Sequence, residues 1–136
     1  MQSSEKRIAD VMRSVPAWCT VSQSVQTVAE VMRDYNVHRV SVIDPKTNLL
    51  LGTISERELC LLVVAAGLDP HATTAGEIMR RDPAACVPEM DLISARFLMV
   101  RQRAHQLPVV DENKRLIGTV FLADLLGGNE AKLAKR

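Results

Sequence analysis

The stretch VMRDYNVHRVSVID, residues 31–44, carries the end of a helical apolar pattern into an apolar strand that closes on Asp44. A second stretch, FLMVRQRAHQLPVVD at residues 97–111, makes the same transition. Outward from these two the register holds. Met12 and Met79, Pro16 and Pro83, Cys19 and Cys86, Met32 and Met99, His38 and His105, and Asp44 and Asp111 all stand 67 positions apart. Gly52 and Gly118, Thr53 and Thr119, and Leu59 and Leu125 stand 66 apart. The lost residue falls where DPKTNLLLG faces DENKRLIG, a polar stretch between apolar runs that reads as a hairpin loop, where insertions cost least. The chain is therefore an internal duplication.

Each copy reads as strand, helix, strand, strand, helix. Short apolar pieces around Trp18–Val21 and Ala85–Val87 suit strands, and Ser24 and Asp91 are good helix N-caps. Val25, Val28, Ala29, Met32 and Tyr35 fall on one helical stripe. In the second copy Leu92, Ala95 and Met99 keep that stripe, while Ile93, Phe97 and Val100 form a neighbouring one, which predicts a helix covered on more of its circumference. VHRVSVID with LLLGTIS, and AHQLPVVD with RLIGTVF, read as hairpins, followed by helices from about Glu56 and Leu122. The organisation expected is repeat 1 over 8–68, a connector at 69–74, repeat 2 over 75–127 and a flexible tail at 128–136. A unit of ~60 residues is marginal alone, so the copies are expected to share a core.

Composition narrows the function. The 136 residues are 47% apolar and 24% charged, ordinary globular usage. Seventeen Lys and Arg against sixteen Asp and Glu leave a net charge of +1, and aromatics are 3%, so nucleic acid is not the expected partner. The longest uncharged apolar run, Leu59–Leu68, is too short to span a membrane and reads as a buried helix. The N-terminus lacks an apolar leader, which makes the cytoplasm the expected location. Cys19, Cys60 and Cys86 have neither CxxC spacing nor a nearby histidine, so no metal site is expected and the thiols read as free. No P-loop, GxGxxG, GxSxG or HExxH motif is present, and an enzyme is not expected.

The pieces VMRDYNVHRVSVID with GTISERELC, and FLMVRQRAHQLPVVD with GTVFLADLL, resemble two consecutive CBS domains, the tandem pair known as a Bateman module. The resemblance implies an α/β (α+β) fold of two βαββα repeats packed with pseudo-two-fold symmetry, and no catalysis. It also implies a homodimer and an adenosine-containing ligand, such as AMP, ADP, ATP, S-adenosylmethionine or NAD, bound in clefts between the two repeats, with no required cofactor. The expected function is a regulatory sensor acting in trans on an unidentified protein. The alternative is a ligand-free structural or interaction module.

The family's ligand signature is Gly, two residues, Ser or Thr, two residues, Asp. Gly52, Ser55 and Glu58 fall on it in repeat 1, with Glu for Asp. Gly118, Phe121 and Asp124 fall on it in repeat 2, where the hydroxyl is lost. A strand running into a helix at Ser55 offers free amides and a favourable dipole to a phosphate, and a carboxylate one turn on can accept from a ribose diol. His38, Arg39 and Arg57 supply positive charge in repeat 1; repeat 2 has His105 and Gln106, with Ala123 in place of Arg57. By the resemblance, adenine would lie near Cys19, Thr20 and Val42, or near Cys86, Val87 and Val109. The expected ligand set is Ser55, Glu58, Arg57, His38, Arg39, Thr20, Asp124 and His105, with repeat 1 the phosphate-competent site. Plainer roles stand beside these: Ser55 as an ordinary N-cap, Glu58 and Asp124 as partners of a helix dipole, the two histidines as structural, and Phe121 as core or as a block.

Overall fold

A computed structural model of the chain describes residues 6–14 and 17–126. The tail at 128–136 and residues Val15 and Pro16 lie outside the described residues. The elements run α1 (Ile8–Val11), β1 (Trp18–Thr20), α2 (Val25–Tyr35), β2 (Arg39–Ile43), β3 (Leu50–Ser55) and α3 (Glu56–Leu59), which continues as a π-helical turn over Cys60–Val64. Then come α4 (Ala75–Ile78), β4 (Arg80–Arg81), α5 (Leu92–Gln102), β5 (Gln106–Val110), β6 (Leu116–Phe121) and α6 (Leu122–Leu125).

The chain folds into two compact units whose membership crosses the sequence repeat. Pro16–Pro83 form one, and Met1–Val15 with Ala84–Arg136 form the other. We call them the repeat-1 and repeat-2 units. In the repeat-1 unit the strand order is β1-β2-β3-β4, with β1 parallel to β2 and the rest antiparallel. The repeat-2 unit has β5 and β6 as a hairpin, flanked by single bridges from Cys86 to Val109 and from Arg13 to Thr119. Both units thus hold the same four-strand pattern.

In each unit the outermost position is supplied by the segment that opens the other repeat. The Ala75 and Gly76 amides donate to the Gln23 and Val21 carbonyls at 2.7 and 3.0 Å. Sixty-seven positions earlier, the Ile8 and Ala9 amides donate to the Met90 and Pro88 carbonyls at 2.8 and 3.0 Å. Ile8 and Ala75 are both fully buried, so each segment is anchored by burial as well as by hydrogen bonds. The glycine of each Gly-Thr strand makes this possible. A Cβ on Gly52 would lie 2.7 Å from the Arg80 carbonyl oxygen, and one on Gly118 would lie 2.9 Å from that of Arg13.

Helix α2 starts at Ser24, whose hydroxyl accepts the Thr27 amide, and α5 starts at Asp91, which accepts that of Ser94. Each ends on a left-handed residue, Asn36 or Arg103. Val25, Val28 and Met32 are buried as their stripe predicts, whereas Ala29 and Tyr35 are exposed. Two expectations need correction. The Leu59–Leu68 run is not a buried helix: Val63 is buried, but Leu61, Leu62, Val64 and Leu68 are exposed. The second stripe of α5, Ile93, Phe97 and Val100, is likewise exposed rather than covered. One unit's own core takes one face of each helix, and among the described residues nothing covers the next face round.

Candidate functional site

The register of the repeat-1 sheet decides what its two faces carry. Arg39 is opposite Ser55, Ser41 opposite Thr53, and Thr53 opposite Arg80. Side chains alternate along a strand, so Arg39, Ser41, Thr53, Ser55 and Arg80 share one face. Val40, Val42 and Ile54 point the other way and are fully buried. One face is therefore core, and the other gathers two guanidinium groups and three hydroxyls.

The chemistry of that face shows in its contacts. The Arg39 guanidinium donates to the Thr53 hydroxyl at 3.4 Å. Burial pulls the Arg39 pKa below its usual value; Glu58 opposes this and Arg80 adds to it. Two like charges and one carboxylate thus interact on a half-buried surface. Ser55 and Glu58 form a reciprocal capping box: the Ser55 hydroxyl accepts the Glu58 amide at 3.1 Å, and Glu58 Oε1 accepts the Ser55 amide at 2.8 Å.

The remaining predicted residues are placed less centrally. His38 is exposed, with Nδ1 3.1 Å from Glu56 Oε1, and its carbonyl accepts the Glu56 amide. His105 is also exposed, and its carbonyl accepts the Leu122 amide, the same backbone role in the other repeat. Arg57 is exposed, and the half-buried Thr20 donates its amide to Gln23 Oε1 at 2.9 Å. The expected bed for adenine is only partly open: Thr20 is half-buried and Val87 exposed. Cys19, Val42, Cys86 and Val109 have no accessible surface, because these positions face each unit's own core. Among the described residues no group of three or more His, Cys, Asp or Glu side chains is placed to hold a metal ion.

The repeat-2 unit presents the corresponding face with other residues. Gln106 is opposite Phe121, Pro108 opposite Thr119, and Thr119 bridges Arg13. Here Asp124 is held by a two-pronged ion pair, with Arg13 Nε to Oδ2 at 2.9 Å and Nη2 to Oδ1 at 2.7 Å. The same guanidinium lies 5.5 Å from the Phe121 ring centroid. Its pKa is raised, first by the hydrogen bonds to Asp124 and then by that charge. Arg13 and Arg80 are the two residues that reading the motifs missed. The repeat itself contained the signal, since each directly follows a member of the Met12–Met79 pair.

The family model for the CBS domain matches residues 8–65 and again 75–128. The chain belongs to the CBS domain family. As a CBS pair it is 31% identical over 118 residues to CBS domain-containing protein YhcV of Bacillus subtilis, covering 87% of this chain and 81% of that protein. Among solved structures it is similar to CBSX2 in complex with AMP, with 23% identity, a TM-score of 0.77, and 96% and 99% of the two chains covered. It is also similar to the CBS domain pair of MJ0100 in complex with 5′-methylthioadenosine and S-adenosyl-L-methionine, with 19% identity, a TM-score of 0.78, and 97% and 99% covered. At these identities the structures show the shared fold. Among the described residues of this CBS pair, no helix is long and apolar enough to cross a membrane.

Proposed function

We propose that this CBS pair is a non-catalytic sensor that binds an adenosine-containing ligand through its repeat-1 unit, associates as a homodimer and acts in trans on another protein. The observation that carries the reading is the repeat-1 sheet face. Arg39, Arg80 and the Ser55 hydroxyl gather there beside Glu58, over the buried Ser41 and Thr53, which sets an acceptor for a diol next to donors for a phosphate. That two proteins of the same fold bind AMP and S-adenosyl-L-methionine supports an adenosyl compound as the ligand. His38, Arg57 and Thr20 are assigned to the rim of this site. Asp124 and His105 mark its counterpart in repeat 2.

The test is a thermal-shift and calorimetric panel of AMP, ADP, ATP, S-adenosylmethionine and NAD. A ligand that binds only the folded state stabilises it by about 2.7 kcal/mol at a hundredfold excess over Kd. Ser55→Ala and Glu58→Ala are expected to weaken binding more than Asp124→Ala does, and the reverse order refutes the assignment. The homodimer draws on the exposed stripes Ile93, Phe97, Val100 and Leu61, Leu62, Val64. Sedimentation of Phe97→Asp against the parent chain tests it, with dissociation the expected result. One observation favours the ligand-free alternative: Ser55 and Glu58 already satisfy one another. No heat and no shift with any compound would select it.

A further inference from the structure

The acid of the repeat-2 signature already has an occupant. Both oxygens of Asp124 accept from the forked guanidinium of Arg13, at 2.9 and 2.7 Å, and that guanidinium lies over the Phe121 ring at 5.5 Å. Arg13 belongs to the opening segment of repeat 1, which enters this unit, and it is pinned by a reciprocal backbone bridge with Thr119 at 2.8 and 2.9 Å. The hydroxyl that the signature places at position 121 is here a phenyl ring, which gives the guanidinium a face to lie on. The two departures from the repeat-1 pattern therefore meet in one structure of Arg13, Phe121 and Asp124. In the repeat-1 unit Glu58 accepts instead from the Ser55 amide, and Arg80, the counterpart of Arg13, interacts with Arg39.

We infer that Arg13 is an internal plug that holds Asp124 in place of a sugar diol, so that the chain takes its adenosyl ligand at repeat 1 alone. The fork occupies both carboxylate oxygens of Asp124, the acceptors a diol would need, and a neutral diol offers no charge in exchange for the guanidinium. The inference rests on the adenosyl reading above. It adds what sets the number of sites per chain and which residue sets it.

The experiment is an AMP titration by calorimetry of the wild type, Arg13→Ala, Arg13→Lys, Asp124→Asn and Arg13→Ala/Asp124→Asn. The Arg13 side chain is 61% exposed, and its bridge to Thr119 is made by the backbone, so truncation leaves the strand contact in place. One equivalent in the wild type, two in Arg13→Ala and one again in the double variant is the expected result. Arg13→Lys, which keeps the charge but loses the fork, should show the second equivalent at weaker affinity than Arg13→Ala. One equivalent in both the wild type and Arg13→Ala overturns the plug and leaves the repeat-1 site standing. A single wild-type equivalent that vanishes with Asp124→Asn also overturns the plug. No binding in the wild type but one Asp124-dependent equivalent in Arg13→Ala upholds the plug and removes the repeat-1 site. No binding in any variant overturns both.

Discussion

The two units share a strand pattern, a crossing segment and a Gly-Thr strand, yet their polar faces have diverged in opposite directions. On the repeat-1 face two guanidiniums stand with three hydroxyls, and the carboxylate turns back to cap its own helix. In the repeat-2 unit the same positions hold Gln106, Pro108, Thr119 and Phe121, and the guanidinium of Arg13 is neutralised by Asp124. Duplication fixed the scaffold twice over, because burial and backbone geometry are indifferent to which polar residue stands on the outer face. What that face can bind is set by a handful of side chains free to change.

The most severe way to break the likeness is at the glycines. Gly52→Ala puts a methyl group 2.7 Å from a backbone oxygen and 2.8 Å from Met79 Sδ. Overpacking of that kind costs about 1–3 kcal/mol. Gly118→Ala meets the Arg13 carbonyl at 2.9 Å but Met12 Sδ at 3.3 Å, so it should cost less. Urea denaturation of the two variants measures the difference. A neutral Gly52→Ala would show that the crossing segment does not press on β3 as described.

Capping separates the units next. Ser55→Ala removes a side-chain acceptor for the Glu58 amide and should cost about 1 kcal/mol. Phe121 makes no side-chain cap bond, so the equivalent helix start in repeat 2 has none to lose. If ligand-free Ser55→Ala unfolds at the wild-type denaturant midpoint, the capping box contributes nothing and the hydroxyl is free for a ligand.

These contrasts also show what the sequence made legible. The duplication, its slip in the hairpin loop, the order of elements and the capping residues Ser24, Ser55 and Asp91 all follow from local chemistry. A cap or an apolar stripe needs only neighbours within a turn. The crossing of the segments around Ile8 and Ala75 needed long-range pairing, which no periodicity records, and with it Arg13 and Arg80 were missed as members of the site. The four apolar core positions of the supposed adenine bed were misplaced for a related reason. Cys19 and Val42 pair side by side on adjacent strands, but apolar character alone cannot say that this face of the strand is core. For Leu61, Leu62 and Val64 the error ran the other way: an apolar run reads as buried whether its cover lies in the same chain or not.

A smaller effect is expected from the ion pair that distinguishes repeat 2. The Asp124 side chain is 18% exposed but that of Arg13 is 61%, so solvent screens the pair. A double-mutant cycle of Arg13→Ala and Asp124→Asn should return a coupling of about 0.5–1 kcal/mol that shrinks as salt is added. Zero coupling would leave the fork without energetic meaning. A larger, salt-independent value would place it in a drier setting than its exposure indicates.

The finest contrast lies in the thiols, where the repeats should agree and a third cysteine should differ. Burial raises the pKa of Cys19 to about 12 and that of Cys86 to about 11, from an ordinary 9.0. Both native values lie above the unfolded one, so the unfolded chain releases its thiol protons first. The stability associated with the two neutral thiols is complete below pH 9 and declines as pH climbs through the native values. Cys60 is exposed on the π-helical turn. Native protein treated with a thiol reagent at mildly alkaline pH should therefore lose one thiol quickly and two only on unfolding. The slow pair should react at a rate that rises with denaturant, because opening of the core limits access. Fast labelling of Cys86 but not Cys19 would mean that the repeat-2 unit, with single bridges where repeat 1 has β1 and β4, opens on its own, and the shared scaffold would then be unequal in stability as well as in chemistry.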